Sequence, residues 1–314
     1  MAEAEPDAKE PEVVYHYTSI DTMMKIVDSA SIWATSISYL NDVSEREHYL
    51  RLIRERIPVY RQSHSLPDES IFDDFLNESD LGFQSRPFVA SFSEEDDSLP
   101  QWRSYCPHGN GVAIGFRVEC LRQSHIPPGV APSAMVFSSI YTRILFRKID
   151  YLDASSVQSL DEVITAGIDE SMRYAEEERK SYPDGRLAHG PRPYFNAFIE
   201  GLASFKKHPS FLNEHEYRLL VDPIFSANHY LEFRATRSTL IPFIRVSIPR
   251  KRSRYVDHTE PIMSPLEGRW DFVDRVVIGP TSNNTLSLDA VSAFFLKNRM
   301  QVEVVSSAIP YRDW

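Results

Sequence analysis

The sequence predicts an α+β fold, a mixed or antiparallel sheet core with helical insertions, carried as a single domain over residues 13–314. Strand-like and helix-like runs are mixed without a regular βαβ repeat. The glycine-rich run His108-Gly109-Asn110-Gly111 precedes a strand, whereas in a dinucleotide-binding unit the glycines follow a strand and open a helix. The stretches at about 44–80 and 155–207 read as helical and charged, with no clean linker, repeat or low-complexity tract beside them, so they are insertions into one sheet.

The elements follow in order. Residues 1–12, MAEAEPDAKEPE, are acidic and contain proline, and are expected as a disordered tail. VVYHYTS (13–19) reads as a strand ending in a polar turn. Ser19 or Thr18 caps a helix whose Ile20, Met23, Met24, Ile26 and Val27 recur at helical spacing. SIWATS (31–36) returns as a strand, and Asn41-Asp42 is a turn signal. SEREHYLRLIRERI is an amphipathic helix punctuated by Pro58 and Pro67, with a second short helix in PDESIFDDFLNESD. Phe88 to Phe92 is a strand, Glu94 to Asp97 an acidic loop, Leu99 to Tyr105 a helical turn, and Asn110-Gly111 a turn into a strand from Val112 to Val118. IYTRILFRKIDY is a strand, with Arg143, Arg147 and Lys148 as a basic cluster. Helices are expected over Ser155 to about Lys180 and Pro193 to Lys207. FRATRSTLIPFIRVSIP reads as a loop and then a strand, RVVIGP as a buried strand, DAVSAFFLKNRM as a helix and VEVVSSAIPYR as a last strand.

Composition narrows the function. The 314 residues are 42% hydrophobic and 25% charged, an ordinary globular balance. A net charge of -11 argues against non-specific nucleic-acid binding, which needs a dominant basic surface. Cys106 and Cys120, the two cysteines, have neither a disulfide framework nor zinc-ligand spacing, which points to a reducing cytoplasm. No apolar run approaches the ~18 residues of a membrane span, so no membrane partner is expected.

The chemistry centres on NEHEYRLLV (213–221). On a strand, Glu214, Glu216 and Arg218 share one face and His215, Tyr217 and Leu219 the other. Carboxylates about 7 Å apart divide labour in a cleft, one stabilising a cationic transition state and one serving a nucleophile; the alternative is a solvated face on which Arg218 offsets them. His215-Glu216 is not a zincin motif, because position 219 is Leu219. His16 stands at a strand-to-helix junction, where side chains and free N–H groups meet ligands, or is a structural histidine. Glu94 to Asp97 is a metal site or a solvated loop. Trp102 and Arg103 clamp an anionic ligand, or are a packing anchor and a surface cation.

The ordered set HYTS (16–19), YLND (39–42), SFS (91–93), LPQWRSY (99–105), GVAIGF (111–116), EHEYR (214–218), VIGP (277–280) and SAIPYR (307–312) resembles the bacterial domain-of-unknown-function family DUF2971. The His-Tyr-Thr strand, serine-bearing middle strand and late Glu-x-Glu are similar to the three-motif layout of NAD-dependent ADP-ribosyltransferases. That second resemblance implies an ADP-ribosyltransferase-like sheet, NAD as co-substrate, and transfer or NAD glycohydrolase activity without a metal, in the setting of a bacterial toxin or phage-defence effector. It implies Glu216 as the catalytic carboxylate and Glu214 as helper for the acceptor, which is a protein, nucleic acid, small molecule or water. His16, Tyr17, Thr18, Ser91 and Ser93 would hold NAD, with Trp102 and Arg103 beside them. Tyr17, Tyr39 and Phe92 compete to stack on nicotinamide. The other readings are a non-catalytic nucleotide-binding sensor and a metal-dependent nucleic-acid processing enzyme.

Overall fold

The computed structural model describes residues 10–40, 43–76, 86–106, 111–127, 142–151, 159–181, 190–223, 230–236, 238–249, 272–281 and 283–310. The tail expected over 1–12 lies mostly outside them. From Glu10 the chain is engaged: Glu10 pairs with Arg122, and the Glu12 carbonyl accepts from the Val118 N–H at 3.0 Å. Among the described residues no helix is long and apolar enough to cross a membrane.

The fold is α+β with a mostly antiparallel sheet, as expected. Its first unit is β1 (Val13–Thr18), α1 (Ile20–Ser29) and β2 (Ser31–Ser36). Ser19 is the cap, its Oγ accepting from the Thr22 N–H at 3.1 Å. α1 buries Met23, Ile26 and Val27, the i, i+3, i+4 stripe visible in the sequence. The centre is β3 (Phe88–Ser93), and β8 (Glu216–Pro223) pairs along all of it, from Phe88 with Val221 to Ser93 with Glu216.

The other edge of β3 is divided. β2 takes its start, Thr35 opposite Val89 and Ser36 opposite Phe88, while β1 takes its end, Tyr15 opposite Ser93. β1 and β2 therefore part from each other across the middle of β3. Beyond β1 lie β4 (Val112–Arg117), β11 (Val273–Ile278) and β12 (Glu303–Ser306), the last pair parallel. Beyond β2 lie β10 (Leu240–Ser247) and β9 (Leu231–Ala235), and β5 (Thr142–Lys148) pairs with β8. β9 falls where a loop was expected. Its pairing with β10 runs from Leu231 opposite Ile244 to Ala235 opposite Leu240, and the alternation of Leu231, Phe233 and Ala235 with Glu232 and Arg234 is a strand signal in the sequence.

Val14, Phe92, Phe116, Leu219, Ile244 and Val276 bring one face of these strands into the main core with α1. Burying each such side chain stabilises by about 1.5–3 kcal/mol. Gly111 is required by close approach, since a Cβ there would fall 2.3 Å from the Cβ and Sγ of Cys106; Asn110, its partner in the expected turn, lies outside the described residues. Cys106 and Cys120 are buried free thiols.

The insertions form a helical layer over the opposite face, with α2 (Val43–Ser63), α3 (Asp73–Leu76), α6 (Leu160–Ser181) and α7 (Arg192–Ala203). Two shorter helices, α4 (Leu99–Tyr105) and α5 (Val118–Arg122), flank β4, and α8 (Asn284–Lys297) joins β11 to β12. Tyr49, Leu50, Ile53, Ile57, Ile164, Phe195 and Ile199 make a separate core in this layer. Pro58 does not end α2, contrary to its reading as punctuation. The stripe of Ile53, Ile57 and Tyr60 buried on both sides of it outweighs the lost hydrogen bond. α7 stops at Ala203, earlier than expected, and Lys206–Lys207 forms a short β7 parallel to β6 (Asp150–Tyr151).

Candidate functional site

The segment from β7 to β8 builds the site. His208 caps a 3-10 turn, Pro209–Glu214, accepting at Nδ1 from the Ser210 N–H at 3.2 Å. His215 closes that turn in the left-handed region at φ 44°, and β8 begins at Glu216. The left-handed residue breaks the alternation, so Glu214 belongs to the turn and not to a strand face shared with Glu216. The two carboxylates nonetheless converge on one ammonium. Lys207 Nζ donates to Glu214 Oε2 at 2.7 Å and to Glu216 Oε2 at 2.9 Å.

Arg218 supplies the rest of the frame. Its Nε donates to Glu216 Oε1 at 2.7 Å, its Nη2 to Glu216 Oε2 at 3.2 Å, and its Nη1 to the Ser204 carbonyl at 2.7 Å. The Glu216 N–H donates to Tyr151 Oη at 3.2 Å. Glu216, Arg218 and Lys207 are 4%, 3% and 4% exposed, which overturns the solvated-face alternative. Burial pushes the Glu216 carboxyl upward, but the charges and hydrogen bonds of Arg218 and Lys207 override it and hold the group at about 2. Glu216 is therefore an ionised carboxylate at neutral pH, with both oxygens engaged.

Ser93 ties the strand to the turn. It lies opposite Glu216, its Oγ donates to the Glu214 carbonyl at 2.8 Å, and it accepts from the Glu95 N–H at 3.1 Å. Ser91 lies opposite Arg218 on the same strand. His16 reaches β3 from the other side of the sheet. Its ring packs on Phe92 at 5.7 Å, with the main core, and its Nδ1 bonds the Ser91 carbonyl at 2.9 Å, in the stretch where β1 and β2 part. Strand alternation sets Phe92 and Ser93 on opposite faces, so the His16 ring and the Glu216 carboxylate lie on opposite faces as well. Burial lowers the His16 pKa, the bond to Ser91 opposes this, and the Arg234 charge lowers it further. The structure thus brings together Glu214, Glu216, Ser91 and Ser93, and sets His16 apart from them.

Several other candidates are committed to packing. Tyr17 is buried, its hydroxyl donates to the Glu95 carbonyl at 2.8 Å and accepts from the Ser98 N–H at 2.9 Å, and burial raises its pKa. Trp102 is 1% exposed between Tyr17, at 4.7 Å edge-on, and Gly279. It is the packing anchor of the two alternatives, with no ring face open for a ligand. Phe92 is in the core, while Tyr39 and Arg103 are exposed. Thr18 lends its carbonyl to the Cys106 thiol at 3.5 Å.

The acidic loop is partly solvated, with Glu95 exposed, and its carboxylates are paired off separately rather than clustered. Glu94 pairs with Lys148 at 2.7 Å, Glu95 meets His215 at 2.9 Å, and Asp96 pairs with Arg275 at 3.0 Å. Asp97 accepts from Trp102 Nε1 at 2.7 Å, Ser307 Oγ at 2.6 Å and the Ala308 N–H at 2.8 Å. Among the described residues no three His, Cys, Asp or Glu side chains are grouped to hold a metal ion. The basic cluster likewise resolves into separate contacts: Arg143 with buried Asp222, Arg147 over the Phe205 ring at 4.2 Å, and Lys148 with Glu94.

Lys207, Arg218 and Tyr151 complete the site around Glu216, and sequence reasoning gave none of them a functional part. A lysine pair directly after Leu202-Ala203-Ser204-Phe205, three of the four apolar, is the signal that a cation enters the interior there. Residues 101–219 match the family described as Protein of unknown function (DUF2971). No curated protein and no solved structure matches the chain. The matched segment contains GVAIGF and EHEYR and all but the first two residues of LPQWRSY.

Proposed function

We propose that the protein takes NAD as co-substrate and cleaves its nicotinamide–ribose bond, as an ADP-ribosyltransferase or an NAD glycohydrolase. The observation that carries this reading is the pair of Glu214, in the turn, and Glu216, at the start of β8, both bonded to Lys207 and fixed beside the serine strand β3, whose other edge is shared by two diverging strands. Breaking the glycosidic bond builds positive charge on the ribose, and a preorganised carboxylate in a water-poor place opposes that charge most strongly. Glu216 plays this part. Arg218 keeps its carboxylate oriented, and Lys207 withdraws from Oε2 to let the ribose hydroxyl approach. Glu214 then receives a proton from the acceptor, and with water as acceptor the balance is NAD and water giving ADP-ribose, nicotinamide and a proton.

A second reading, a nucleotide-binding sensor without turnover, is favoured by the saturation of Glu216, both of whose oxygens are held by Arg218 and Lys207. One experiment separates them: purified protein is incubated with NAD, with and without a chelator, and free nicotinamide and NAD affinity are both measured. Nicotinamide release unaffected by chelator supports the first reading. Binding without release replaces it with the second, and neither binding nor release overturns both.

A further inference from the structure

The ion pairs that fix Glu216 also close it off, and a different part of the site meets solvent. Glu216, Arg218 and Lys207 are almost wholly buried. The Glu214 side chain is 23% exposed, Phe211 of the 3-10 turn is 36% exposed with its ring centroid 4.9 Å from Lys207 Nζ, and half-buried Tyr151 of β6 lies opposite Lys207 of β7. All three are gathered about one lysine.

Their remaining capacity defines what they can bind. Tyr151 Oη accepts from the Glu216 N–H at 3.2 Å, and its own proton remains to be donated. Burial raises the Tyr151 pKa above its ordinary 10.0, the Glu216 N–H opposes this, and the charges of Glu216, Lys207 and Glu214 act on it in turn. The phenol is thus a neutral donor at neutral pH. Glu214 meets Lys207 through Oε2, and a carboxylate has further lone pairs on its second oxygen. Glu214 and Glu216 are balanced by Lys207 and Arg218, so neither a phosphate nor an ammonium gains a net attraction from these four groups. A neutral ligand is favoured. A donor hydroxyl beside an acceptor carboxylate matches two neighbouring hydroxyls on a ring, and the negative face of an aromatic side chain suits that ring's C–H side.

We propose that Tyr151, Glu214 and Phe211 form a seat for a sugar ring. Tyr151 donates to one hydroxyl oxygen, Glu214 accepts from the neighbouring hydroxyl, and Phe211 flanks the ring. The seat stands on its own chemistry, and only its use rests on the NAD reading, in which the sugar is the acceptor. There the bond from C1 of the nicotinamide ribose to nitrogen breaks, the nitrogen keeps the electron pair, the sugar oxygen bonds to C1, and its proton passes to Glu214. NAD and the sugar give an ADP-ribosyl sugar, nicotinamide and a proton.

The test is ligand-observed NMR titration of the full chain with methyl β-ribofuranoside, its 2-deoxy analogue and adenosine, with melting temperature followed in every variant. The wild type binds the ribofuranoside about tenfold more tightly than the 2-deoxy analogue, which leaves one polar group of the seat unpaired. Tyr151→Phe weakens the ribofuranoside about tenfold, the scale of one neutral hydrogen bond. Phe211→Ala weakens both ribofuranosides alike, since a ring face does not read a hydroxyl, and it carries the test if Tyr151→Phe, which also removes the acceptor of the Glu216 N–H, does not fold. Leu212→Ala, on an exposed neighbour in the same turn, changes neither by more than about twofold. Adenosine binding more tightly than the methyl ribofuranoside keeps the seat and assigns it to a nucleoside, and equal affinity keeps it and assigns it to a free sugar. No binding, equal affinity for the two ribofuranosides, or wild-type affinity in folded Tyr151→Phe or Phe211→Ala overturns the seat. Ribofuranoside binding through Tyr151 without nicotinamide release from NAD keeps the seat and removes the NAD chemistry. Nicotinamide release by a chain with no affinity for the ribofuranoside removes the seat and leaves the NAD chemistry standing.

Discussion

Lys207 holds Glu216 through an Nζ–Oε2 contact of 2.9 Å in which both side chains are almost wholly buried. The pair exists because β7 and β8 approach through space, nine positions apart in the chain, and because Arg218 takes the other carboxylate oxygen. Removing the anion leaves two buried cations facing each other. Glu216→Gln therefore lowers stability by about 3–5 kcal/mol, the cost of breaking a buried pair from one side, and lowers NAD turnover about a hundredfold or more. Urea unfolding reads the first effect and nicotinamide release the second. A folded variant with the wild-type rate would remove Glu216 from the chemistry.

The same pair sets an acid limit. The Glu216 carboxyl lies at about 2 in the folded chain, against an ordinary value of 4.5. Because the folded value is the lower one, its contribution to stability is complete above the unfolded value and is lost as pH falls from there toward 2. Melting temperature followed downward from neutral pH is expected to fall through that window, and to fall less in Glu216→Gln. Parallel curves for the two proteins would contradict the buried carboxylate.

His16 acts in a different range. Its folded pKa lies below 6.5, so neutral His16 stabilises the fold above that value, and the contribution is lost as pH falls below it. His16→Gln is expected to flatten the decline of melting temperature between about pH 6.5 and 5, and His16→Ala to lower the melting temperature at neutral pH by removing the contacts to Phe92 and Ser91. If either variant weakens NAD affinity as well, the ring serves the nucleotide in addition to the strand.

Asp97 joins the end of the chain to its middle. Asp97→Ala leaves the Trp102 N–H buried without its acceptor, which costs about 1–3 kcal/mol, and releases Ser307 and Ala308. Hydrogen exchange should quicken in β12 and residues 307–309 while α1 stays protected. Uniform quickening would mean that the tie has no local role.

Much of this architecture was legible. Helical spacing marked α1, α6 and α8, and short, largely apolar runs bounded by polar turns marked β1 to β4, of which β2, β3 and β4 are buried on both faces. β9 alternates Leu231, Phe233 and Ala235 with Glu232 and Arg234, but the run is short and Phe233 and Ala235 are exposed, so it has no buried face to stand out by. The Glu-x-Glu motif picked out two carboxylates that do meet, at Lys207, but not through the geometry expected. It reads as one strand face, but a left-handed His215 folds Glu214 away, and nothing in a histidine announces that conformation. Trp102 and the acidic loop looked like ligand chemistry because polar and aromatic residues have the same composition whether they meet a ligand or each other. The motifs HYTS, YLND, SFS, VIGP and SAIPYR fall outside the matched segment 101–219 and rest on the sequence reading alone.

The pairing of β3 with β8 bears on how the protein can be produced in pieces. A fragment cut to the matched span would hold β4, β5 and only the first half of β8, and neither β1 nor β3, leaving that half with an open edge where Ala90 to Ser93 belong. Such an edge recruits other chains. During synthesis the N-terminal strands wait more than a hundred residues for β8 to emerge, a long-range closure of the kind that slows folding and exposes apolar strands. Expression trials are therefore best begun from the full length, at low temperature, with fragment boundaries placed outside both β1 and β12.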